Sequence, residues 1–311
     1  MIVRSQVAPW LVQRTAHPSV ELIPVETDTG IVQIDSLRLD AAATLSRARE
    51  FMATFDNRVA DETAFLLAHR VEMVVADVPP MGIAAAKAAG LPAIAFGNFT
   101  WDWIYAQYEG GADVARAIGE IYAETTLAMR LPMWGGFRTI PRIEDLPFVA
   151  RHARRDPIDT RRALGIPLDA RVVLSSFGGY GVAGMAKPSV ADYHVLWPGD
   201  IDEAAMYEHG YRYEDLVRAV DVVVTKPGYG IISECLVNDT ALLYTSRGDF
   251  REYPVLVQAM PRFLRCAFIG HDDLFSGNWG PHLARLVAQP SPPERPAANG
   301  AEIAADRLLS L

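Results

Sequence analysis

The sequence is short of cysteine, of long apolar runs and of positive charge. Two cysteines in 311 residues, Cys235 and Cys266, cannot build a disulfide framework or a thiolate metal cluster. Each stands among apolar neighbours, as a core thiol does. No stretch approaches the ~18 uninterrupted apolar residues of a membrane-spanning helix. The opening Met1-Ile2-Val3-Arg4-Ser5 has no charged region leading into an apolar one, so no secretory leader is expected and the chain reads as soluble and cytoplasmic. Lysine and arginine total 29 against 38 aspartates and glutamates, a formal net charge of −9. So acidic a surface repels phosphate backbones and argues against nucleic acid as the main partner. A small polyanion held by local backbone amides remains compatible with it. The seven histidines show no zinc spacing, and no Gly-x-Ser-x-Gly elbow occurs. Asp200-Ile201-Asp202 matches an Asp-x-Asp metal motif but leads into a helix pattern, and His271-Asp272-Asp273 reads as a turn. No metal is expected.

What is present is a globular alternation. Half the residues are hydrophobic and 22% are charged, which excludes a disordered chain, and the length suggests two domains. Strand patterns at 20–25, 72–76, 93–96, 171–177, 222–225, 241–245 and 266–269 alternate with amphipathic segments at 41–69, 81–89, 114–129, 231–237 and 253–260. Such alternation predicts α/β domains with parallel sheets covered by helices on both faces. Pro141, Pro147 and Pro157 punctuate an arginine-rich stretch where no strand fits. The expected domains are therefore 1–150 and 151–296. A proline-rich stretch, with Pro290, Pro292, Pro293 and Pro296, leads to a terminal element at 297–311 containing a helix over 301–309.

Three strand exits in the second half carry chemistry. After the strand Val222-Val223-Val224-Thr225 comes Lys226-Pro227-Gly228-Tyr229-Gly230 and then a helix. Glycines let a backbone approach a ligand closely, and a helix N-terminus offers unpaired N–H groups and partial positive charge to a phosphate. Lys226 adds a charge that suits a diphosphate. Glu234, one turn on, can accept two hydrogen bonds from ribose hydroxyls, although Ser233 and Glu234 also suit a plain helix start. A second exit, Phe177-Gly178-Gly179-Tyr180-Gly181, includes Gly179, Gly181 and Gly184 in the G-x-G-x-x-G spacing of dinucleotide sites. Pro188 interrupts the helix that such a site needs. In the third, Arg247 can pair with phosphate while Asp249 and Glu252 can accept sugar hydroxyls; a charged, capped loop is the plainer alternative. All three exits are expected on one edge of one sheet, where doubly wound folds bind ligands.

These segments, with Gly97-Asn98-Phe99-Thr100-Trp101-Asp102-Trp103, resemble GT-B glycosyltransferases. They are similar to a predicted glycosyltransferase group related to the N-terminal half of plant-type arabinose kinases, and more distantly to peptidoglycan N-acetylglucosaminyltransferases. The resemblance implies two Rossmann-like, doubly wound domains facing a cleft and a uridine-linked nucleotide-sugar as donor substrate rather than a resident cofactor. It implies that Glu234 holds the ribose, that Gly228, Gly230 and Ser233 hold the diphosphate, and that Gly178 and Gly179 flank the phosphates. Asp249 and Glu252 are implied near the donor sugar. Such proteins open with a strand and a Gly-His-Gly-type loop, and this N-terminal domain is expected to lack both.

In the first half, Asp77 ends one strand, and Asn98, Trp101 and Asp102 follow the next. Aromatic faces beside amide and carboxylate groups suit a carbohydrate or apolar acceptor, with Asn98 and Trp101 as its contacts. Asp77 or Asp102 would serve as general base toward its hydroxyl, unless Asp77 is a helix cap. The expectation is metal-independent glycosyl transfer from a nucleotide-diphosphate sugar to a hydroxyl acceptor. Its rivals are a non-catalytic nucleotide-sugar sensor or partner subunit, and an NAD(P)-dependent oxidoreductase resting on Gly179–Gly184.

Overall fold

The computed structural model describes residues 1–178 and 181–311. The chain divides into two compact units, one of Met1–Val32 with Asp40–Leu146 and one of Gln33–Leu39 with Pro147–Leu311. Both are α/β. Among the described residues no helix is long and apolar enough to cross a membrane.

The first unit opens with β1 (Ile2–Arg4), α1 (Pro9–Thr15) and β2 (Glu21–Ile23), the two strands pairing parallel. There follow α2 (Ala41–Ala53), α3 (Phe55–Ala68), β3 (Val74–Ala76), α4 (Pro80–Ala88), β4 (Ala93–Phe99), α5 (Trp101–Tyr105), α6 (Ala112–Tyr122), β5 (Leu127–Gly135) and β6 (Ile143–Asp145). The last four strands form one parallel sheet in the order β3-β4-β5-β6.

Three expectations are corrected here. The pattern at 41–69 is not one helix but two, because the Thr54 hydroxyl donates back to the Phe51 carbonyl at 3.2 Å and accepts from Arg58 Nε at 2.9 Å. Such side-chain bonding competes with the helical ladder. The segment at 114–129 stops being helical at Tyr122, and Leu127-Ala128-Met129 enters β5 as a fully buried central strand. A continuous apolar run fits a buried strand as well as a helix, and pairing on both sides decides it. β6 was not expected between Pro141 and Pro147; as an edge strand it tolerates flanking prolines.

The second unit contains α7 (Pro157–Ala163), β7 (Arg171–Ser175), β8 (Tyr193–Leu196), α8 (Glu203–Glu208), α9 (Tyr213–Ala219), β9 (Val222–Thr225), α10 (Tyr229–Val237), β10 (Ala241–Tyr244), α11 (Glu252–Ala259), β11 (Cys266–Phe268), α12 (His271–Ser276), α13 (Gly280–Val287) and α14 (Gly300–Leu309). Its sheet is parallel throughout, ordered β11-β10-β9-β7-β8. Val222, Val223 and Val224 are wholly buried, as a central strand covered on both faces requires. The triplet at 271–273 begins α12 rather than a turn.

Candidate functional site

The sheet order decides where the three glycine-bearing exits lie. β10, β9 and β7 are immediate neighbours running the same way, with Ser175 level with Val224 and Thr225 level with Tyr244. The chain therefore leaves all three strands side by side on one edge. Ser175 Oγ and Thr245 Oγ1 are buried there without a hydrogen-bond partner. Two orphaned hydroxyls on one edge are unusual, since buried polar atoms are nearly always paired.

Between them sits the start of α10. Gly228 is its N-cap in extended backbone, and no side chain caps the helix. A Cβ built at Gly228 or Gly230 meets nothing within 4 Å, so there is open space beside the helix's first turn, whose N–H groups have no intrahelical partner. Lys226 stands beside them, half-buried. Burial, followed by the charge of Arg247, lowers its ammonium to about 8, against the raising pull of Asp35. Gly178, with φ +74°, likewise borders open space. Gly179 and Tyr180 lie outside the described residues.

Other expected donor contacts already have partners within the protein. Ser233 is buried and donates to the Gly230 carbonyl at 2.9 Å. Glu234 is buried and accepts from Arg151 Nε at 2.5 Å. Burial, with Glu214 adding to it, raises the Glu234 carboxyl above the usual range, and Arg151 works the other way. Arg247 pairs with the buried Glu252 at 3.0 Å and lies 4.1 Å from the Phe250 ring centroid. The two residues expected on phosphate and sugar thus hold each other, while Asp249 is exposed.

Sequence reasoning missed four neighbours of this edge. Arg151 has no motif and reaches Glu234 from 83 positions away. His271 and Ser246, after β11 and β10, lie 2.8 Å apart. The turn Gln33–Leu39 belongs to this unit although its sequence neighbours belong to the other.

The two remaining motifs fold as their flanking residues predict. No helix occurs over 181–192, so the Gly179–Gly184 spacing lacks the helix that a dinucleotide fingerprint requires. Asp200 accepts from Lys187 at 2.5 Å and from the Trp197 N–H at 2.8 Å, and Asp202 caps α8 through the Ala205 N–H. Both have structural work of the ordinary kind.

In the first unit, Asp77 leaves β3 at the carboxyl edge, followed by Val78 at φ +54°. A β-branched residue is strained there, and such strain clusters at functional turns. The Val78 carbonyl accepts from the Tyr122 hydroxyl, and the Trp101 N–H donates to that hydroxyl at 3.3 Å. Asp77 reaches solvent, yet crowding by protein and then the charge of Asp28 raise its carboxyl above the ordinary range. Asp28, unnoticed in the sequence, accepts from the Trp101 indole at 3.0 Å, and burial raises its carboxyl too. Trp101 is buried and stacks on Tyr105 at 5.4 Å. Asn98 is buried. Asp102 lies against Gly119 of α6, with Oδ1 buried and unpartnered.

No family model matches the chain. It is similar to the L-arabinokinase of Arabidopsis thaliana, 30% identical over 310 residues that cover 94% of this chain and 29% of that protein. The chain thus spans less than a third of the relative it matches. Among solved structures it is similar to spinosyn forosaminyltransferase, with a TM-score of 0.57 at 12% identity, covering all of this chain and 91% of that one. It is similar to a glycosyltransferase of Phytolacca americana complexed with UDP-2fluoro-glucose and pterostilbene, at 0.55 and 11%, covering 93% and 82%. The calicheamicin glycosyltransferase follows at 0.54 and 14%, covering 93% and 82%. Two parallel α/β sheets, the three aligned strand exits and these likenesses agree: the chain has the GT-B glycosyltransferase fold and is a distant homologue of L-arabinokinase.

Proposed function

We propose that this chain is a glycosyltransferase that moves a sugar from a nucleotide-diphosphate sugar, with uridine as the base, to a hydroxyl acceptor. One observation carries the reading: the adjacent exits of β7, β9 and β10 surround an uncapped helix N-terminus with open space before its glycines. Backbone amides and Lys226 suit a diphosphate more than any other common ligand group. Glu234 is taken as the ribose contact, sharing its carboxylate with Arg151. Gly178 and Gly179 are taken as the far wall of the phosphates, and Asp249 as a sugar contact. The Phytolacca americana protein of the same fold is complexed with UDP-2fluoro-glucose, which supports uridine.

In the reaction, the acceptor oxygen forms a bond to the anomeric carbon as the bond from that carbon to the phosphate oxygen breaks. The electron pair leaves with the diphosphate, whose growing charge the α10 amides and Lys226 stabilise. The acceptor's proton passes to Asp77, the base of the first unit, with Asn98 and Trp101 nearby on the acceptor side and Asp102 as the alternative base. Lys226 and the amides supply the positive charge, so the reading requires no metal. Release of uridine diphosphate from UDP-sugars, offered with a panel of hydroxyl acceptors and with chelator present, tests it. Nucleotide release abolished by chelator would remove the metal-free step.

A second reading, a nucleotide-sugar-binding part without turnover, is favoured by the match to under a third of a protein named as a kinase. It predicts calorimetric binding of uridine diphosphate with no nucleotide release from any UDP-sugar.

A further inference from the structure

The turn Gln33–Leu39 comes from a part of the sequence that carries no donor motif, yet it is bonded to the β7 exit and packed against the β10 exit. Asp35 shapes it: Oδ1 accepts from the N–H groups of Leu37 and Arg38 at 2.8 and 2.9 Å, and the Ile34 N–H closes onto the Arg38 carbonyl at 3.0 Å. Ser36 then binds the β7 exit twice. Its hydroxyl donates to the Phe177 carbonyl at 2.6 Å, and its N–H donates to the Gly181 carbonyl at 3.2 Å. Ser36 is 2% exposed, so neither bond is readily replaced by water. At the β9 exit, Asp35 is near enough to Lys226 for its charge to be felt. At the β10 exit, the Leu37 carbonyl fills the place of a side chain at Gly248: a Cβ there would lie 2.9 Å from that oxygen, with φ at +70°. Leu37 itself belongs to the second unit's apolar core with Phe177, Val224 and Leu243.

We propose that Ser36 is a positioning residue for the diphosphate site, holding the β7 exit in its binding shape, so that seating of the Gln33–Leu39 turn and binding of a nucleoside diphosphate reinforce each other. The inference rests on the donor reading above. Ser36 touches no ligand in it. It acts by pinning Phe177 and Gly181, the described residues on either side of the loop expected to face the phosphates. Because the two events are linked, whatever favours one favours the other by the same factor. Both flanks of the turn, Val32 and Asp40, are in the first unit, so this linkage would make the donor site answerable to a segment threaded in from the acceptor-side half of the sequence.

The experiment is amide hydrogen exchange over residues 34–39, combined with calorimetry of uridine diphosphate and of inorganic pyrophosphate, on the full chain and on Ser36→Ala. The expected result is slower exchange of the Ser36 amide when uridine diphosphate is bound. Ser36→Ala, which leaves the buried Phe177 carbonyl without its donor, should melt a few degrees lower yet stay folded, bind both probes about tenfold more weakly at a temperature well below its transition, and show no protection of the turn. Gly248→Ala, which displaces the Leu37 carbonyl, should weaken both probes as well. Equal affinity in Ser36→Ala, or exchange in the wild-type turn indifferent to a bound probe, overturns the inference and leaves the donor reading intact. A wild type that binds neither probe at millimolar concentration overturns both.

Discussion

Arg151 and Glu234 form an ion pair across 83 positions of the chain, with Nε 2.5 Å from Oε1, at the residue expected to grip ribose. The carboxylate is buried and Glu214 adds to its burden, so removing the guanidinium leaves an unpaired charge. Arg151 retains 44% of its side-chain exposure, and water takes over part of its share. Arg151→Ala is therefore expected to cost ~1 kcal/mol, well below the 3–5 kcal/mol of a fully buried pair. The pH dependence has a definite sign. Glu234 is already raised in the folded state, so its protonated form is favoured there, and stability is lost as pH rises through its folded value. Without Arg151 that value rises further, so the loss in urea unfolding should be larger at pH 7 than at pH 4. Equal losses at the two pH values would rule out the ion pair as the cause.

Gly228 and Gly230 separate ligand space from folding. A Cβ at either position meets nothing within 4 Å, and neither has a positive φ. Gly230 lies inside α10, where alanine is the better helix former by ~1 kcal/mol. Gly230→Ala should melt at or above the wild-type temperature and Gly228→Ala, at an N-cap that alanine fills less well, slightly below it, while both bind uridine diphosphate at least tenfold more weakly. Unaltered affinity would mean that the open space before α10 is not where the phosphates bind.

How far the sequence discloses this arrangement depends on how local each feature is. Val222-Val223-Val224-Thr225 followed by Pro-Gly-x-Gly carries strand, turn and helix start within one dozen residues, and the strand runs over the residues the pattern predicts. That the exits of β7, β9 and β10 are neighbours follows from the alternation of parallel strands and helices. Leu127-Ala128-Met129 was misread because an apolar run has no period of its own, and the choice between strand and helix is made by β4 and β6. Asp28, Arg151 and Ser36 were illegible for a different reason. Each sits in an unremarkable local sequence, and its role is created by a partner 73 to 141 positions away. The pairing of Arg247 with Glu252, five positions apart, is likewise a contact that the sequence pattern alone does not disclose.

Asp77 and Asp28 predict a movable acid limb. A base must be ionised, so the transfer rate rises with pH through the Asp77 value, which crowding by protein and then the charge of Asp28 raise. Asp77→Asn should lower transfer by about 10²–10⁴-fold while leaving uridine diphosphate affinity unchanged, as expected for loss of a general base. Asp28→Asn keeps an acceptor for the Trp101 indole but removes the like charge, so the acid limb should shift to lower pH with a modest change in plateau rate. An unmoved limb would mean that the two carboxyls do not sense each other during turnover.

Lys226 sets the alkaline side. Its ammonium is lowered to about 8, chiefly by burial and then by Arg247, so in the empty site its charge is lost as pH climbs past that value. A diphosphate favours the charged form, and binding must therefore take up a proton above pH 8 and none well below it. Uridine diphosphate affinity should be flat from pH 6.5 to 7.5 and then fall, approaching tenfold per pH unit by pH 9. Lys226→Met should bind more weakly at pH 7 and show no such fall, whereas Lys226→Arg, charged throughout, should keep its affinity to pH 9. Calorimetry in two buffers of different ionisation enthalpy measures the proton uptake directly. If the wild type at pH 9 binds without taking up a proton, Lys226 does not face the phosphates, and the stabilising charge on the leaving group has to come from the α10 amides alone.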